Sequence, residues 1–305
     1  MKKFRIIIAK RHLPSTANAN NDNCIKSNGT ATGESLSLRL LYRTEVGKKV
    51  LRLLTAPRIS AFVGDFMDSP LSRPLIAPFI RKNAIDMRDY EPADYRTFNE
   101  FFTRKIRPAA RPVCEDENAL IAPADGYLLA YEIKEDTVLT VKEKTYTVPS
   151  LLRNSALAEE YKNGVCLIFR LCVHHYHRYC YPDDGTKGEN IFIDGRLHTV
   201  RPIALEAYPV FAENCREYTL LDTAHFGKIV QMEVGAMLVG KIQNDMGAGS
   251  FRRGEEKGRF LYGGSTVILL LNENAVTVDA AILRASAQGK ETEVRQGQKI
   301  GCRQM

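Results

Sequence analysis

Ser265 stands in Gly263-Gly264-Ser265-Thr266, between the polar run Arg252 to Lys257 and the unbroken apolar run Val267 to Leu271. A serine at a loop-to-strand junction, with glycine leaving the backbone uncrowded before it, can act on the peptide bond that precedes it. An ordinary turn fits the same four residues. A second reactive place is Asp125 in Ala122-Pro123-Ala124-Asp125-Gly126, a short acid at a tight turn that opens a strand. Its carboxylate suits either catalysis or local backbone N–H groups. The third is the loop His174-His175-Tyr176-His177-Arg178-Tyr179-Cys180-Tyr181-Pro182-Asp183-Asp184-Gly185, which follows a hydrophobic strand. Three of the six histidines in one loop are hard to explain by packing alone.

Asp, His and Ser in that order can build a base-activated hydroxyl nucleophile, the imidazole taking the Ser265 proton and the carboxylate fixing its tautomer. A conventional serine hydrolase is disfavoured, because its nucleophile sits at a Gly-x-Ser-x-Gly elbow between strand and helix, whereas Val267 here opens a strand. The histidine loop has no recognised metal-ligand spacing, and no metal site is expected.

These residues need a frame. Residues 1–35 read as a flexible segment, since Ser15 to Ser35 are rich in Asn, Ser, Thr, Ala and Gly. Residues 36–112 read as helical and basic, with Leu40, Leu41, Val46, Val50, Leu51 and Leu54 on one face; between Arg39 and Lys82 basic residues outnumber acidic ones by nine to three. That pattern suits a membrane surface as well as a helix packed on a core. Residues 113–305 read as short strands separated by Gly, Asp, Asn or Pro, from Tyr127–Ile133 through Val165–Val173, Ile229–Val234, Met237–Ile242 and Val267–Leu271 to Ala275–Val278. The expected fold is therefore α+β: amphipathic N-terminal helices followed by a mainly antiparallel β sandwich or barrel-like catalytic domain. No glycine-rich phosphate loop follows a strand, which removes support for a nucleotide-binding α/β fold.

A chain of 305 residues with 44% hydrophobic residues supports a substantial core. The net charge of +7 points to an anionic partner. An acidic membrane surface is expected in preference to nucleic acid, for which there is no recognised motif. Seven cysteines without a CxxC pair indicate neither a disulfide framework nor a thiolate zinc site, and suit a reducing cytosol. The apolar run after the basic start is broken at Lys10 and Arg11, too early for a signal peptide, and no run reaches the roughly 18 residues of a membrane span.

Five motifs in order, Phe101-Phe102-Thr103-Arg104-Lys105, Ala122-Pro123-Ala124-Asp125-Gly126, Tyr176-His177-Arg178, Glu233-Val234-Gly235-Ala236 and Gly263-Gly264-Ser265-Thr266, resemble the phosphatidylserine decarboxylase family over roughly Leu41 to Gly301. The resemblance implies a proenzyme that cuts its own backbone between Gly264 and Ser265 and converts Ser265 into a pyruvoyl cofactor. The products would be a large chain, 1–264, and a small chain, 265–305, that stay associated because the small one has too little surface to fold alone. The implied reaction is decarboxylation of phosphatidylserine to phosphatidylethanolamine, on the cytoplasmic side of the cell membrane as a peripheral protein; an oligomer is compatible with it. Asp125 would belong to the charge relay for self-cleavage and His177 would assist protonation during decarboxylation. Lys142 and Tyr146 lie where the resemblance suggests substrate contact, and a structural place fits them equally.

One position departs from the family pattern Tyr-His-Arg-x-His: Cys180 stands where the relay histidine is expected. A thiol of pKa about 8.5 shuttles protons less well than imidazole. Cys180 as a tuned base, substitution by His177, and slow or absent processing are the three outcomes. Two alternatives accompany the leading function: a pyruvoyl decarboxylase of a different amine, and a non-processing lipid-binding homologue marked by Cys180.

Overall fold

The computed structural model describes residues 36–55, 57–135, 137–141, 144–200, 202–236, 241–245, 247–262 and 265–304. Its centre is a nine-stranded antiparallel sheet. Across it run Gly249–Phe251, Gly185–Lys187, Arg216–Thr223, Gly227–Val234, Ser265–Leu271, Val165–Leu171, Gly126–Glu132 and Thr292–Val294, and Ile191–Ile193 also pairs with Arg216–Thr223. The fold is α+β and mainly antiparallel, as expected; among the described residues the sheet stays open and does not close into a barrel.

In the strand Ser265–Leu271 the run Val267–Leu271 is apolar without alternation because both faces are covered. Val267, Leu269 and Leu271 meet Leu167, Phe169, Leu128 and Ile229 on one face. Ile268 and Leu270 meet Ile168, Cys166, Val230 and Met232 on the other. In register, Ser265 faces Leu171 across one edge of this strand, and Thr266 faces Val234 across the other. The strand therefore begins at the serine, two residues earlier than the apolar run suggests.

The rest of the C-terminal segment is threaded among earlier residues. Thr292–Val294 pairs with Gly126–Glu132, and Lys299–Arg303 lies between Ala119–Ile121 and Val276–Val278. Among the strands that the sequence reading does not name are Arg216–Thr223 and Glu256–Phe260, the latter starting inside the polar run. The latter pairs with Arg178–Cys180, so the histidine loop leads directly into a second, three-stranded sheet. Gly126 is required by close packing, since a Cβ there would meet the Arg170 carbonyl oxygen at 2.9 Å.

Helices Leu36–Arg43, Glu45–Leu54, Pro57–Met67 and Ile76–Lys82 precede the sheet. Their apolar residues divide. Leu51 and Tyr42 are buried in the core, whereas Leu40, Val46, Val50 and Phe62 are exposed, as are Leu71 and Leu75 in the 3-10 turn Pro70–Leu75 between the last two helices. The single face drawn from sequence is thus only partly a packing face. No helix of the described residues is long and apolar enough to cross a membrane.

The short helix Phe98–Phe102 closes this segment. Thr97 Oγ1 accepts the Glu100 N–H at 3.2 Å and Glu100 returns a carboxylate to the Thr97 N–H at 3.3 Å, a reciprocal cap. Phe98, Phe101 and Phe102 are buried beneath it, with Phe79 and Tyr262 packed edge-on against them. Phe102→Ala is expected to cost about 3–5 kcal/mol, measured by chemical denaturation. Phe62→Ala, at a side chain 73% exposed, is expected to stay within about 0.5 kcal/mol of wild type.

Candidate active site

Ser265 is fully buried, and its Oγ has no hydrogen-bond partner among the described residues. Gly263 and Gly264 lie outside the described residues, as do residues 1–35, 237–240 and Lys142. The approach to the serine is nevertheless fixed on both sides. Tyr262 packs on Phe98 and Phe102, and its N–H donates to Asn99 Oδ1 at 3.0 Å; Ser265 is already in the sheet.

His177 shares a wall with this segment. Its ring lies 4.1 Å from that of Phe102, which also touches Tyr262, and its carbonyl accepts the Phe260 N–H at 2.9 Å. His177 Nδ1 sits 2.9 Å from the His175 carbonyl oxygen. A carbonyl only accepts, so Nδ1 carries the proton and Nε2 is left as the basic lone pair. That Nε2 is buried and without a partner. Burial first, then the Arg104 guanidinium, holds the imidazole well below its ordinary pKa, so it stays neutral. His175 is pushed to about 3, again chiefly by burial, and its Nδ1 accepts the Cys172 N–H at 2.9 Å.

Asp125 is nearly buried but paired elsewhere. Arg111 grips both carboxylate oxygens, at 2.8 Å through Nε and 2.6 Å through Nη2, and the Gln296 N–H adds a third bond at 2.9 Å. Cys180 is buried too, and burial is the main cause that pushes its thiol up to about 12, the Asp125 charge adding to it and a bond from Gln296 opposing it. The thiol is protonated at neutral pH and unsuited to act as a base. Among the described residues no hydrogen bond joins the side chains of Ser265, Asp125, His177 and Cys180 to one another. The structure brings His177 and the segment around Ser265 to one aromatic wall, and separates Asp125 from Ser265 by the strand that carries Leu171.

Tyr146 lies in the core, its hydroxyl donating to the Tyr208 carbonyl at 3.3 Å. Residues the sequence did not single out are Arg111 and Gln296 on Asp125, and the wholly buried pair of Lys257 Nζ and Glu233 Oε2 at 2.8 Å. Glu233 is directly opposite Glu217 in register, and Lys257 together with Asn244 relieves that like-charge contact. Among the described residues no group of three His, Cys, Asp or Glu side chains is arranged to hold a metal ion.

The family model for phosphatidylserine decarboxylase matches residues 98–302. Among similar proteins, the "Phosphatidylserine decarboxylase proenzyme 2" of Clostridium acetobutylicum is 46% identical over 265 residues, covering 87% of this chain and 91% of that protein. The phosphatidylserine decarboxylase proenzymes of Clostridium botulinum and Clostridium novyi are 41% and 39% identical over 272 residues, each covering 87% of this chain and 92% of the relative.

The buried imidazoles set a pH dependence of stability. His175, His177 and His198 have folded pKa values below the ordinary value of about 6.5, so unfolding takes up protons once the pH drops below it. The sign is acid destabilisation: stability is complete above about pH 6.5 and falls toward pH 4, by up to about 1.4 kcal/mol per pH unit for each histidine. Urea denaturation across that range should show the loss, and His198→Phe should remove the share of one histidine, leaving a shallower slope.

Proposed function

The chain belongs to the phosphatidylserine decarboxylase family, and from that premise we propose that Ser265 is both its self-cleavage nucleophile and the source of its cofactor. The reaction is decarboxylation of phosphatidylserine to phosphatidylethanolamine, and the protein is a carboxy-lyase made as a proenzyme. The observation that carries the assignment is that Ser265 Oγ and His177 Nε2 are both buried without a partner among the described residues, while His177 packs on Phe102, whose ring also meets Tyr262 shortly before the serine. A buried hydroxyl without a partner is costly, and so is a buried imidazole lone pair. Such groups fit a serine held for reaction rather than for packing.

In self-cleavage Ser265 Oγ attacks the Gly264 carbonyl carbon while His177 Nε2 takes the hydroxyl proton, and the Gly264–Ser265 amide becomes an ester as the nitrogen regains a proton. Elimination across Cα–Cβ releases the large chain as a carboxylate and leaves a dehydroalanine; water then converts it to a pyruvoyl cap with loss of ammonia. His177 fills the role of the absent histidine at position 180, because the Cys180 thiol holds its proton at neutral pH. A pyruvoyl group supplies a ketone that takes up the electron pair left when carbon dioxide departs. His177, neutral with its proton on Nδ1, is suited to move a proton at Nε2 in that step as well.

The large chain 1–264 and small chain 265–305 stay associated in this proposal. Ser265–Leu271 lies between two strands of the large chain, and Thr292–Val294 and Lys299–Arg303 pair with two more. The segment 36–112 is proposed as a peripheral contact with an anionic phospholipid membrane, on its cytoplasmic side. Its exposed Phe62, Phe66, Leu71 and Leu75 accompany Arg73, Arg81 and Lys82, the mixture of apolar and basic groups that such surfaces take. No observation favours a different amine substrate or a non-processing homologue.

Mass analysis of purified protein should find chains 1–264 and 265–305, the latter blocked by pyruvoyl; Ser265→Ala and His177→Ala should each leave one full-length chain, and Cys180→Ser should still be cut. A protein that stays whole, or a His177→Ala variant cut at the wild-type rate, contradicts the proposal. For the membrane contact, Phe62→Ser with Leu71→Ser should weaken sedimentation with phosphatidylserine-containing vesicles at least tenfold while leaving processing intact. Unchanged sedimentation would count against it.

A further inference from the structure

Two arginines are buried with no carboxylate partner among the described residues, and they differ in how they are held. Arg216 donates to the carbonyls of Leu151, Ala212, Asn214 and Ser150 at 2.7, 2.7, 2.9 and 3.0 Å, a well-satisfied guanidinium inside the fold. Arg104 is bonded loosely. Its Nη1 reaches the Phe101 and Phe102 carbonyls at 3.4 Å, its Nη2 reaches Tyr90 Oη at 3.1 Å and the His174 and His175 carbonyls at 3.4 Å, and its Nε has no partner. The rings of Tyr90 and Phe101 flank it at 4.2 and 4.9 Å. A buried cation kept without a counter-charge is expensive, and a neighbouring carboxylate would have relieved that cost.

The His175 carbonyl explains the arrangement. It accepts from Arg104 Nη2 and from His177 Nδ1, so a single oxygen joins the guanidinium to the imidazole. We infer that Arg104 is a positioning residue for His177: by anchoring the His174 and His175 carbonyls it fixes the Nδ1–H tautomer, and as an uncompensated cation it keeps the ring neutral with Nε2 free. The charged or titratable groups facing His177 are Arg104, from the end of the Phe98–Phe102 helix, and His174 and His175 from its own loop. None of them favours a second positive charge. A carboxylate beside Arg104 would cancel this field, which accounts for its absence. Arg104 touches no reacting atom in this scheme. The inference deepens the reading of His177 as the base, and it is tested without requiring that reading.

The direct test is nitrogen-15 NMR of histidine-labelled, full-length Ser265→Ala protein, with His177 assigned by its loss in His177→Gln. His177 should show the Nδ1–H tautomer and remain neutral well below the ordinary imidazole midpoint of about 6.5. Arg104→Met should introduce the second tautomer and raise the titration midpoint. Arg104→Lys, which keeps the charge but cannot span the two carbonyls, should mix the tautomers while the ring stays neutral. Unchanged tautomer and midpoint in a folded Arg104→Met protein would overturn the inference. Should that variant fail to fold, unchanged tautomer populations in Arg104→Lys would overturn it equally. In the Ser265 protein, Arg104→Met should shift the acid limb of self-cleavage upward by about one pH unit, a tenfold loss below the limb. Slower cleavage with an unmoved limb would mark a merely structural role and overturn it. If His177→Ala were cut normally, the proposed base would fail while the spectra still judged the Arg104 contact.

Discussion

The structure depends on where one strand begins. Ser265–Leu271 is buried on both faces and paired along both edges, with Val165–Leu171 and with Gly227–Val234. Such a strand has little freedom to slide, because a shift of one residue would exchange the side chains meeting the two cores. Ser265 therefore inherits the precision of the sheet although it is the first residue after a glycine pair. The same pairing would keep the centre of the sheet together after the cut proposed before Ser265. The strand is held by side chains and ladder bonds from both flanks.

Around this strand the buried charges follow two rules. Some are neutralised in place: Lys257 meets Glu233 inside the fold, and Arg111 meets Asp125. Others are kept unpaired, as with the guanidinium of Arg104 and the neutral rings of His175 and His177. Paired ions in a low-dielectric interior add little net stability but fix geometry, whereas an unpaired group is a standing cost. Arg104, His175 and His177 lie together at the Phe98–Phe102 helix and the histidine loop, near Tyr262. The paired ones tie strands together at its margins.

Much of this was legible in sequence where the signal is local. Val267 to Leu271 announces a doubly buried strand, and Asp125-Gly126 announces a turn that opens one, because side-chain type and immediate neighbours decide both. Glu256–Phe260 was hidden because Lys257 reads as a surface charge until Glu233, far away in the chain, is placed against it. Arg216–Thr223 was hidden for the same reason, since Arg216 is satisfied by carbonyls of a helix some 65 residues earlier. The exposed Val46 and Phe62 show the converse limit. Periodicity identifies an apolar helical face, but it does not say whether that face meets a core or a surface.

Cys180 brings these constraints together. A histidine there would stand near Asp125 and find a carboxylate ready to orient it, yet in this chain that carboxylate is already saturated by Arg111 and Gln296. Gln296 belongs to the segment that follows Ser265, and its side chain also donates to the Pro123 and Arg178 carbonyls at 3.2 and 3.3 Å. Asp125 thus joins the part of the chain before the serine to the part after it. Asp125 with Arg111 holds the two segments in place, and the lone pair of His177 stays unpartnered. The thiol at position 180 is buried beside this tether, bonded to Gln296, and burial keeps its proton in place.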